Sequence, residues 1–165
     1  MAHEFEVQID WIGNTGSGTS GARDFSRNHE ILFPGLPSLP GSAAPEFRGD
    51  ADRYNPEQLL VAAIAQCHMM TYFYLAVQNG IVVTEYRDTA TGFLRLHPDG
   101  SGEIDRVIVR PRVTLAAGTD LELALSLHDE VGKYCFIARS VNCEIVHEVQ
   151  QNLVDTEHVG ESGTR

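Results

Sequence analysis

The stretch NPEQLLVAAIAQC, residues 55–67, opens the longest apolar helix that this sequence predicts. Asn55 is a good N-cap, Pro56 suits the first helical position, and Gln58 completes a capping-box pattern. Apolar residues then recur at helical spacing until Gly80, which is a suitable C-terminal stop. Because the helix is apolar over much of its circumference, we expect it to be deeply buried.

The segments on either side of this helix predict strands and a second helix. Alternating apolar residues and runs of β-branched and aromatic residues predict strands over residues 3–11, 23–33, 81–97, 103–116 and 143–149. A second helix is predicted over residues 120–134, with Thr119 and Glu122 as its capping box. The order is ββ–α–ββ–α–β, with strands mostly joined by hairpins. This order predicts an α+β fold rather than a doubly wound α/β fold.

The composition is that of an acidic globular chain. Its length of 165 residues fits one domain over residues 1–165, with a polar tail from about residue 155. A net charge of −11 disfavours nucleic acid and anionic membranes as partners. We see no signal peptide and no run near the roughly 18 apolar residues of a membrane span, so we expect a cytoplasmic protein without a membrane partner.

Two patterns resemble cofactor or metal motifs without their context. Residues 16–21 match G-x-G-x-x-G, but a dinucleotide site needs a helix next, whereas this segment leads towards a proline-rich loop over residues 34–45. We interpret it as a hairpin turn. The seven histidines form no H-E-x-x-H motif, and a zinc site would need four ligands from scattered positions. We therefore expect no cofactor and no metal, and surface or hydrogen-bonded histidines.

The three cysteines are Cys67, Cys135 and Cys143. An odd number in an intracellular chain is not a disulfide framework, which leaves buried filler, metal ligation or thiol chemistry. A functional Cys67 needs a nearby positive charge to favour its thiolate. The helix dipole fades within one turn, and Cys67 lies about three turns past Pro56, so an arginine must supply that charge. The candidates are Arg23, Arg27, Arg48 and Arg53.

Residues 55–67 resemble the N-P-E-[EQ]-L-x-x-A…C helix of the OsmC/Ohr family, with the same ten-residue step from Glu57 to Cys67. Cys135 falls at the end of the second helix, where that family places its other thiol. Residues 26–30 and 135–142 are similar to one OsmC-like subgroup. The resemblance implies an OsmC-like fold, in which antiparallel sheets wrap two central helices in an intertwined homodimer.

The resemblance also implies a thiol peroxidase that reduces organic hydroperoxides to alcohols. Cys67 would be the peroxidatic thiolate, and Cys135 would resolve its sulfenic acid as a disulfide. A dithiol or a lipoylated protein would be the reductant, with no metal or organic cofactor. Apolar residues around the thiols predict a pocket that prefers alkyl or lipid hydroperoxides. These residues are Leu60, Ile64, Met70, Phe73, Phe136 and Ile137.

The resemblance further implies that an arginine would hold the thiolate and that Glu57 would hold the arginine. Arg27 is the first choice, because it lies in the recognisable segment of residues 26–29, and Arg23 and Arg53 are the reserves. Ten helical residues put Glu57 about 15 Å along the axis from Cys67. Either the arginine bridges that gap, or the partner chain supplies Glu57.

The chain departs from the family pattern at Gln66, His68 and Phe136, where comparable members have Ala, Phe and Pro. These departures leave two other functions open. One is a dimeric binding protein without the chemistry. The other is a different Cys67-dependent enzyme with His68 or His128 as its base, although neighbours on a helix point about 100° apart and His68 is badly placed. Cys143 has no matching family role, and we interpret it as filler in a strand.

Overall fold

A computed structural model describes residues 3–153 of the chain, so the predicted tail from about residue 155 lies outside the described residues. The helices are α1 (Pro56–Gln78) and α2 (Leu121–Tyr134). The strands are β1 (Gln8–Trp11), β2 (His29–Leu32), β3 (Leu39–Gly41), β4 (Val83–Arg87), β5 (Thr91–Leu96), β6 (Gly102–Val109), β7 (Arg112–Leu115), β8 (Glu144–His147) and β9 (Gln150–Leu153). The predicted α+β fold class is confirmed. The chain divides after Leu60 into two compact units, described in turn, and a single domain stays a prediction.

The first unit carries an antiparallel sheet in the order β1-β2-β3. The predicted hairpin turn between β1 and β2 is confirmed, with positive φ at Gly16 and Gly18. Residues 34–45 are not all loop as predicted, because they contain β3. Pro40 has no N–H to donate but is tolerated in this strand at the edge of the sheet, where its carbonyl accepts the backbone N–H of Tyr54 at 2.9 Å. The strand predicted over residues 3–11 is shorter, as β1, and all four residues of β1 are exposed in this chain by itself.

The predicted cap of α1 is confirmed. The Gln58 backbone N–H donates to Asn55 Oδ1 at 2.8 Å, and the Asn55 N–H donates to Gln58 Oε1 at 3.4 Å. This reciprocal pair satisfies two donors that a helix start leaves free. Gly80, with φ of 69°, follows the end of the helix at Gln78.

The expected deep burial of α1 holds for only one face. Its buried residues are Ile64, His68, Tyr72, Leu75 and Ala76. Met70, Tyr74 and Val77 on another face are 63%, 57% and 73% exposed. One helix, α1, has the length and mean hydropathy of a membrane span, although Gln66, His68 and Thr71 interrupt its apolar residues. By length and composition α1 could cross a membrane, a test that core helices of soluble proteins also pass.

The second unit contains two three-stranded sheets, in the orders β4-β7-β9 and β5-β6-β8. The two long predicted strands over residues 81–97 and 103–116 are each broken. Arg110 and Pro111 separate β6 from β7, and Pro111 has no backbone N–H to donate to a ladder. The antiparallel pairs β5–β6 and β4–β7 therefore belong to different sheets.

The last predicted strand, residues 143–149, is also corrected. It is shorter, as β8, and β9 follows it in the other sheet. Both strands pair in parallel, β8 with β6 and β9 with β7. The third strand of each sheet, β8 or β9, is therefore not joined to its neighbour by a hairpin, because a parallel partner must come from a distant part of the chain.

The second helix, α2, is capped by Asp120 and not by Thr119 as predicted. The Asp120 carboxylate accepts the backbone N–H groups of Glu122 and Leu123, each at 3.0 Å. The Thr119 hydroxyl donates instead to the carbonyl of Ala116. The carboxylate also complements the positive end of the helix dipole. Within the second unit, buried side chains of α1, α2 and β7 form one apolar core.

Candidate active site

Cys67 and Cys135 are brought together by the two helices of the second unit. Cys67 lies in the middle of α1, and Cys135 is the C-cap of α2. Their Sγ atoms are 2.6 Å apart, with the Cys135 thiol donating to Cys67. Both cysteines are free, and a disulfide needs about 2.05 Å between the sulfurs. The two thiols can therefore be joined with only a small movement.

The two thiols have different surroundings. Cys135 is 1% exposed, whereas Cys67 is partly exposed. Burial, together with the hydrogen bond to Cys67, raises the pKa of the Cys135 thiol to about 11. The backbone N–H of Ala138 donates to the Cys135 sulfur at 3.4 Å. At neutral pH Cys135 is therefore a protonated, sheltered thiol, and Cys67 is the one that a solute can reach.

A cavity of about 420 Å³ opens beside Cys67, and we call it the Cys67 cavity. Cys67, Met70, Thr71, Tyr74, Tyr134 and Phe136 line it. Of the predicted pocket residues, Met70 and Phe136 lie there, whereas Ile64 and Phe73 line two other cavities. Apart from the thiol and the hydroxyl groups of Thr71, Tyr74 and Tyr134, the wall is apolar, which suits an alkyl group more than a polar solute.

A second cavity, of about 240 Å³, opens beside Cys135, and we call it the Cys135 cavity. Its reactive lining residues are Cys135, Cys143, His68 and His147. Cys143 lies in the loop before β8 and not within a strand as predicted. Burial raises the pKa of its thiol.

Three histidines meet in the interior of the second unit. His68 Nε2 lies 2.9 Å from His128 Nδ1, and the two rings are stacked. The His147 ring is 4.6 Å from that of His68, and His128 stacks on Tyr72 at 3.9 Å. Burial lowers the pKa of His68 and of His128 to about 3, so both are neutral at pH 7. Among residues 3–153, no three His, Cys, Asp or Glu side chains are arranged to hold a metal ion.

The sequence contained part of the signal for this cluster. Ile64, His68 and Tyr72 follow one another at four-residue intervals, which is the spacing of one helix face. That pattern indicates that His68 is buried with its neighbours. Its partner His128 lies 60 residues away and could not be read from spacing. Because His68 Nε2 is engaged by His128, the structure gives little support to a Cys67–His68 pair.

Arg27, the first choice for the supporting arginine, belongs to the first unit. Its guanidinium donates to the carbonyls of Ala22, at 3.0 Å, and Phe25, at 3.3 Å. It also lies 4.6 Å from the centre of the Phe25 ring. These partners are uncharged, and within residues 3–153 no carboxylate pairs with Arg27. Its positive charge is therefore not neutralised.

The two reserve arginines differ from Arg27. Arg53 pairs with Glu30 at 3.1 Å and also donates to the carbonyl of His29. Its charge is therefore already balanced within the first unit. Arg23 is exposed.

Glu57 lies in the first turn of α1, where a carboxylate suits the helix dipole. Its Oε2 atom is buried and has no hydrogen-bond partner among the described residues. A buried carboxylate oxygen without a partner is costly, and charged donors satisfy it best. This oxygen is the kind of acceptor that a guanidinium would complete.

The family of the chain is indicated by a match of residues 49–150 to the family model described as OsmC-like protein. This match covers α1 and α2, the helices that carry Cys67 and Cys135, and most of the strands.

Individual proteins resemble the chain over nearly its whole length. A solved OsmC-like protein of unknown function from Vibrio cholerae is 27% identical, with a TM-score of 0.80 over 90% of this chain and 99% of that chain. The organic hydroperoxide resistance protein OhrB of Bacillus subtilis is 17% identical, with a TM-score of 0.60 over 91% and 98%. The uncharacterized protein YmaD of Bacillus subtilis is 22% identical over 92% of this chain and 95% of its own length.

Proposed function

The chain belongs to the OsmC-like protein family, and from this we propose that it is a thiol peroxidase that reduces organic hydroperoxides to alcohols. The observation that carries the proposal is the Cys67–Cys135 pair, with 2.6 Å between the sulfurs. The likeness to a hydroperoxide resistance protein from Bacillus subtilis supports it at the level of the fold. Cys67 is the peroxidatic thiolate, and Cys135 is the resolving thiol.

The steps balance with these two residues and one external reductant. The Cys67 thiolate attacks the outer oxygen of the hydroperoxide, the O–O bond breaks, and the alkoxide leaves as an alcohol after taking a proton. Cys67 becomes a sulfenic acid. The Cys135 sulfur then attacks the Cys67 sulfur, a disulfide forms, and water leaves. A dithiol or a lipoylated protein reduces the disulfide and restores both thiols.

The different surroundings of the two sulfurs support this division of roles. The nucleophile must meet a solute, and Cys67 is both the more exposed thiol and the one that lines the Cys67 cavity. The resolving thiol must meet only Cys67. Cys135 is buried against it and is the donor of their hydrogen bond. A buried, protonated thiol is also protected from direct oxidation, since thiolate character and exposure control that reaction.

The Cys67 cavity supports an organic substrate. Each buried methylene is worth about 0.8 kcal/mol, so an apolar wall favours an alkyl hydroperoxide over hydrogen peroxide, which has no apolar group to bury. Met70 and Phe136 provide that wall beside the thiol. We therefore expect larger alkyl hydroperoxides to react faster than hydrogen peroxide.

Arg27 and Glu57 complete the proposed site as positioning residues. The unneutralised charge of Arg27 suits a residue that stabilises the Cys67 thiolate, because a guanidinium stays charged when it is partly buried. The buried Oε2 of Glu57 has no partner among the described residues and suits a residue that binds a guanidinium. Glu57 lies about 15 Å along α1 from Cys67, so we propose that the site is completed in a homodimer.

The exposed apolar faces support the homodimer. Met70, Tyr74 and Val77 lie on α1 with more than half of their surface exposed. In the first unit Ile9 and Trp11 of β1 are also exposed. Apolar patches of this kind mark protein interfaces in soluble proteins. A second copy of the chain would cover them.

The test follows the consumption of cumene hydroperoxide with dihydrolipoamide as reductant. The parent is expected to turn over, Cys67→Ser to be inactive, and Cys135→Ser to complete about one turnover. Ser126→Ala, on the exposed side of α2, is the control that should match the parent. If the parent is inactive with every alkyl hydroperoxide and dithiol, the result favours a dimeric binding protein without the chemistry. If activity survives the loss of Cys135, the result favours a different Cys67-dependent enzyme.

A further inference from the structure

A third thiol lies close to the pair already described. Cys143 lines the Cys135 cavity together with Cys135 itself. Among the described residues, Cys67 does not line this cavity and Cys135 does not line the Cys67 cavity. Cys135 therefore contacts Cys67 through its sulfur and also borders a separate cavity that Cys143 lines.

The segment between Cys135 and Cys143 can bring the two thiols together. Both residues line one cavity of about 240 Å³, and they stand eight positions apart in the chain. The chain between them forms a single short 3₁₀ turn at Ala138–Ser140 and then an irregular loop. Irregular, partly exposed segments of this kind open at low cost in free energy.

The chemistry of disulfide exchange requires open space at Cys135. A thiolate that attacks a disulfide approaches along the S–S axis, from the side opposite the leaving sulfur. For a disulfide between Cys67 and Cys135, attack on Cys135 must come from a direction that Cys67 does not occupy. The Cys135 cavity, which Cys67 does not line, leaves room for such an approach, and Cys143 lines the same cavity.

A proton acceptor lies in the same cavity. Burial raises the pKa of the Cys143 thiol, so it must lose a proton before it can attack. His147 lines the cavity, and burial lowers its pKa, so its imidazole is neutral at pH 7 and can accept that proton. A nucleophile, a base and a disulfide acceptor are thus present in one cavity.

We propose that Cys143 is a second resolving thiol, which takes over the disulfide by attacking Cys135. The Cys143 proton passes to His147, a Cys143–Cys135 bond forms, the Cys135–Cys67 bond breaks, and Cys67 leaves as a thiolate. One disulfide is exchanged for another, so no oxidant or reductant is consumed. This proposal rests on the proposed function, which supplies the first disulfide.

The exchange has a measurable consequence. It restores Cys67 before any external reductant arrives, so the chain can react with a second hydroperoxide. The product of that reaction is a Cys67 sulfenic acid, which persists because Cys135 is already bonded to Cys143. Without the exchange, the first disulfide blocks Cys67 after one hydroperoxide.

The experiment measures how many equivalents of hydroperoxide each chain consumes in the absence of reductant. Fully reduced protein is mixed with excess cumene hydroperoxide and dimedone, which traps sulfenic acids, and the disulfides are mapped by mass spectrometry. The parent is expected to consume about two equivalents per chain, with a Cys135–Cys143 disulfide and a dimedone adduct on Cys67. Cys143→Ser is expected to consume about one, with a Cys67–Cys135 disulfide and no adduct. Asn142→Ser, at the neighbouring exposed position, is the matched control and should consume about two.

Each remaining outcome is decisive. A parent that consumes one equivalent and holds only the Cys67–Cys135 disulfide overturns the exchange and leaves the proposed function standing. If the parent consumes none, the proposed function fails, and one equivalent of diamide is used to form the disulfide instead. A Cys135–Cys143 bond after diamide still supports the exchange, and a Cys67–Cys135 bond overturns it. The mapping is made on the parent, so it does not depend on the folding of Cys143→Ser.

Discussion

His68 and His128, one from each helix of the second unit, share a hydrogen bond of 2.9 Å between Nε2 and Nδ1 in the protein interior. Their side chains are 2% and 1% exposed. A pair of imidazoles this deeply buried is stable only while both are neutral, because a proton on either would place an unpaired charge inside the core. This relationship links the stability of the fold to pH.

We predict that the free energy of unfolding falls as the pH falls below 6.5. Unfolding returns each histidine from a pKa of about 3 to its ordinary value of 6.5. Between these values the unfolded chain binds more protons, so acid favours unfolding, and above pH 6.5 the full stability is present. The slope is at most about 1.4 kcal/mol per pH unit for each histidine. Urea unfolding at fixed protein concentration, between pH 7.5 and pH 4.5, measures it.

The variant that tests this prediction replaces both rings by an apolar ring of similar size. The double variant His68→Phe and His128→Phe should have a flatter dependence of unfolding free energy on pH. Leu96→Ala, at an exposed and non-titrating residue of β5, is the control and should keep the slope of the parent. An unchanged slope in the double variant would assign the acid sensitivity to other groups.

We predict that Arg27→Gln lowers kcat/KM for cumene hydroperoxide by about 100-fold, because one preorganised charge at a reacting centre is worth that much. Arg53→Gln breaks the pair with Glu30 and should lower stability by at most about 1 kcal/mol while kcat/KM stays within about threefold. The opposite result, with Arg53→Gln the inactive variant, would transfer the role to Arg53.

We predict that the protein elutes as a dimer, with about twice the chain mass of 18.2 kDa by light scattering. The double variant Met70→Asp and Val77→Asp places charges on the exposed face of α1 and should yield monomers, because an unpaired charge in an apolar interface is costly. Leu96→Asp makes the same change at an exposed residue of β5 and should remain dimeric. Monomers with full activity would show that the site does not need the partner's Glu57.

We predict that Phe136→Ala reduces kcat/KM for cumene hydroperoxide by about tenfold and leaves that for hydrogen peroxide nearly unchanged. Phe136 lines the Cys67 cavity, and about 1.4 kcal/mol of lost apolar contact corresponds to tenfold. Leu125→Ala, at an exposed site on α2, serves as the comparison. Equal losses for both peroxides would mean that Phe136 affects the thiols and not the alkyl group.

The local features of the fold could be read from the sequence, and the distant ones could not. The start of α1 was predictable because Asn55 and Gln58 form the cap between themselves. The cap of α2 was misassigned by one residue, since Thr119 and Asp120 are both good N-caps and only geometry decides between them. The sequence does not indicate the parallel pairing of β8, because its partner in β6 lies 38 positions earlier, as in the pair Arg106↔Glu144.

In the candidate site, too, contacts between residues far apart in the chain could not be read from the sequence. Only the family resemblance predicts that Cys67 and Cys135 act together, because nothing in the spacing of residues 68 positions apart indicates contact. The neighbourhood of Cys143 was invisible in the sequence, where a single cysteine beside a strand is indistinguishable from filler. Only the folded structure shows which residues surround Cys143 and that Cys67 contacts Cys135.

The two parallel strand pairs described earlier also determine the order in which the chain can fold during synthesis. β6 and β7 leave the ribosome well before β8 and β9, because each residue of β6 or β7 that pairs with β8 or β9 lies 38 positions before its partner in the chain. Until then each nascent sheet has an open edge that another chain could join. Non-local pairing of this kind slows folding, so β6 and β7 are the segments that most need protection on the ribosome.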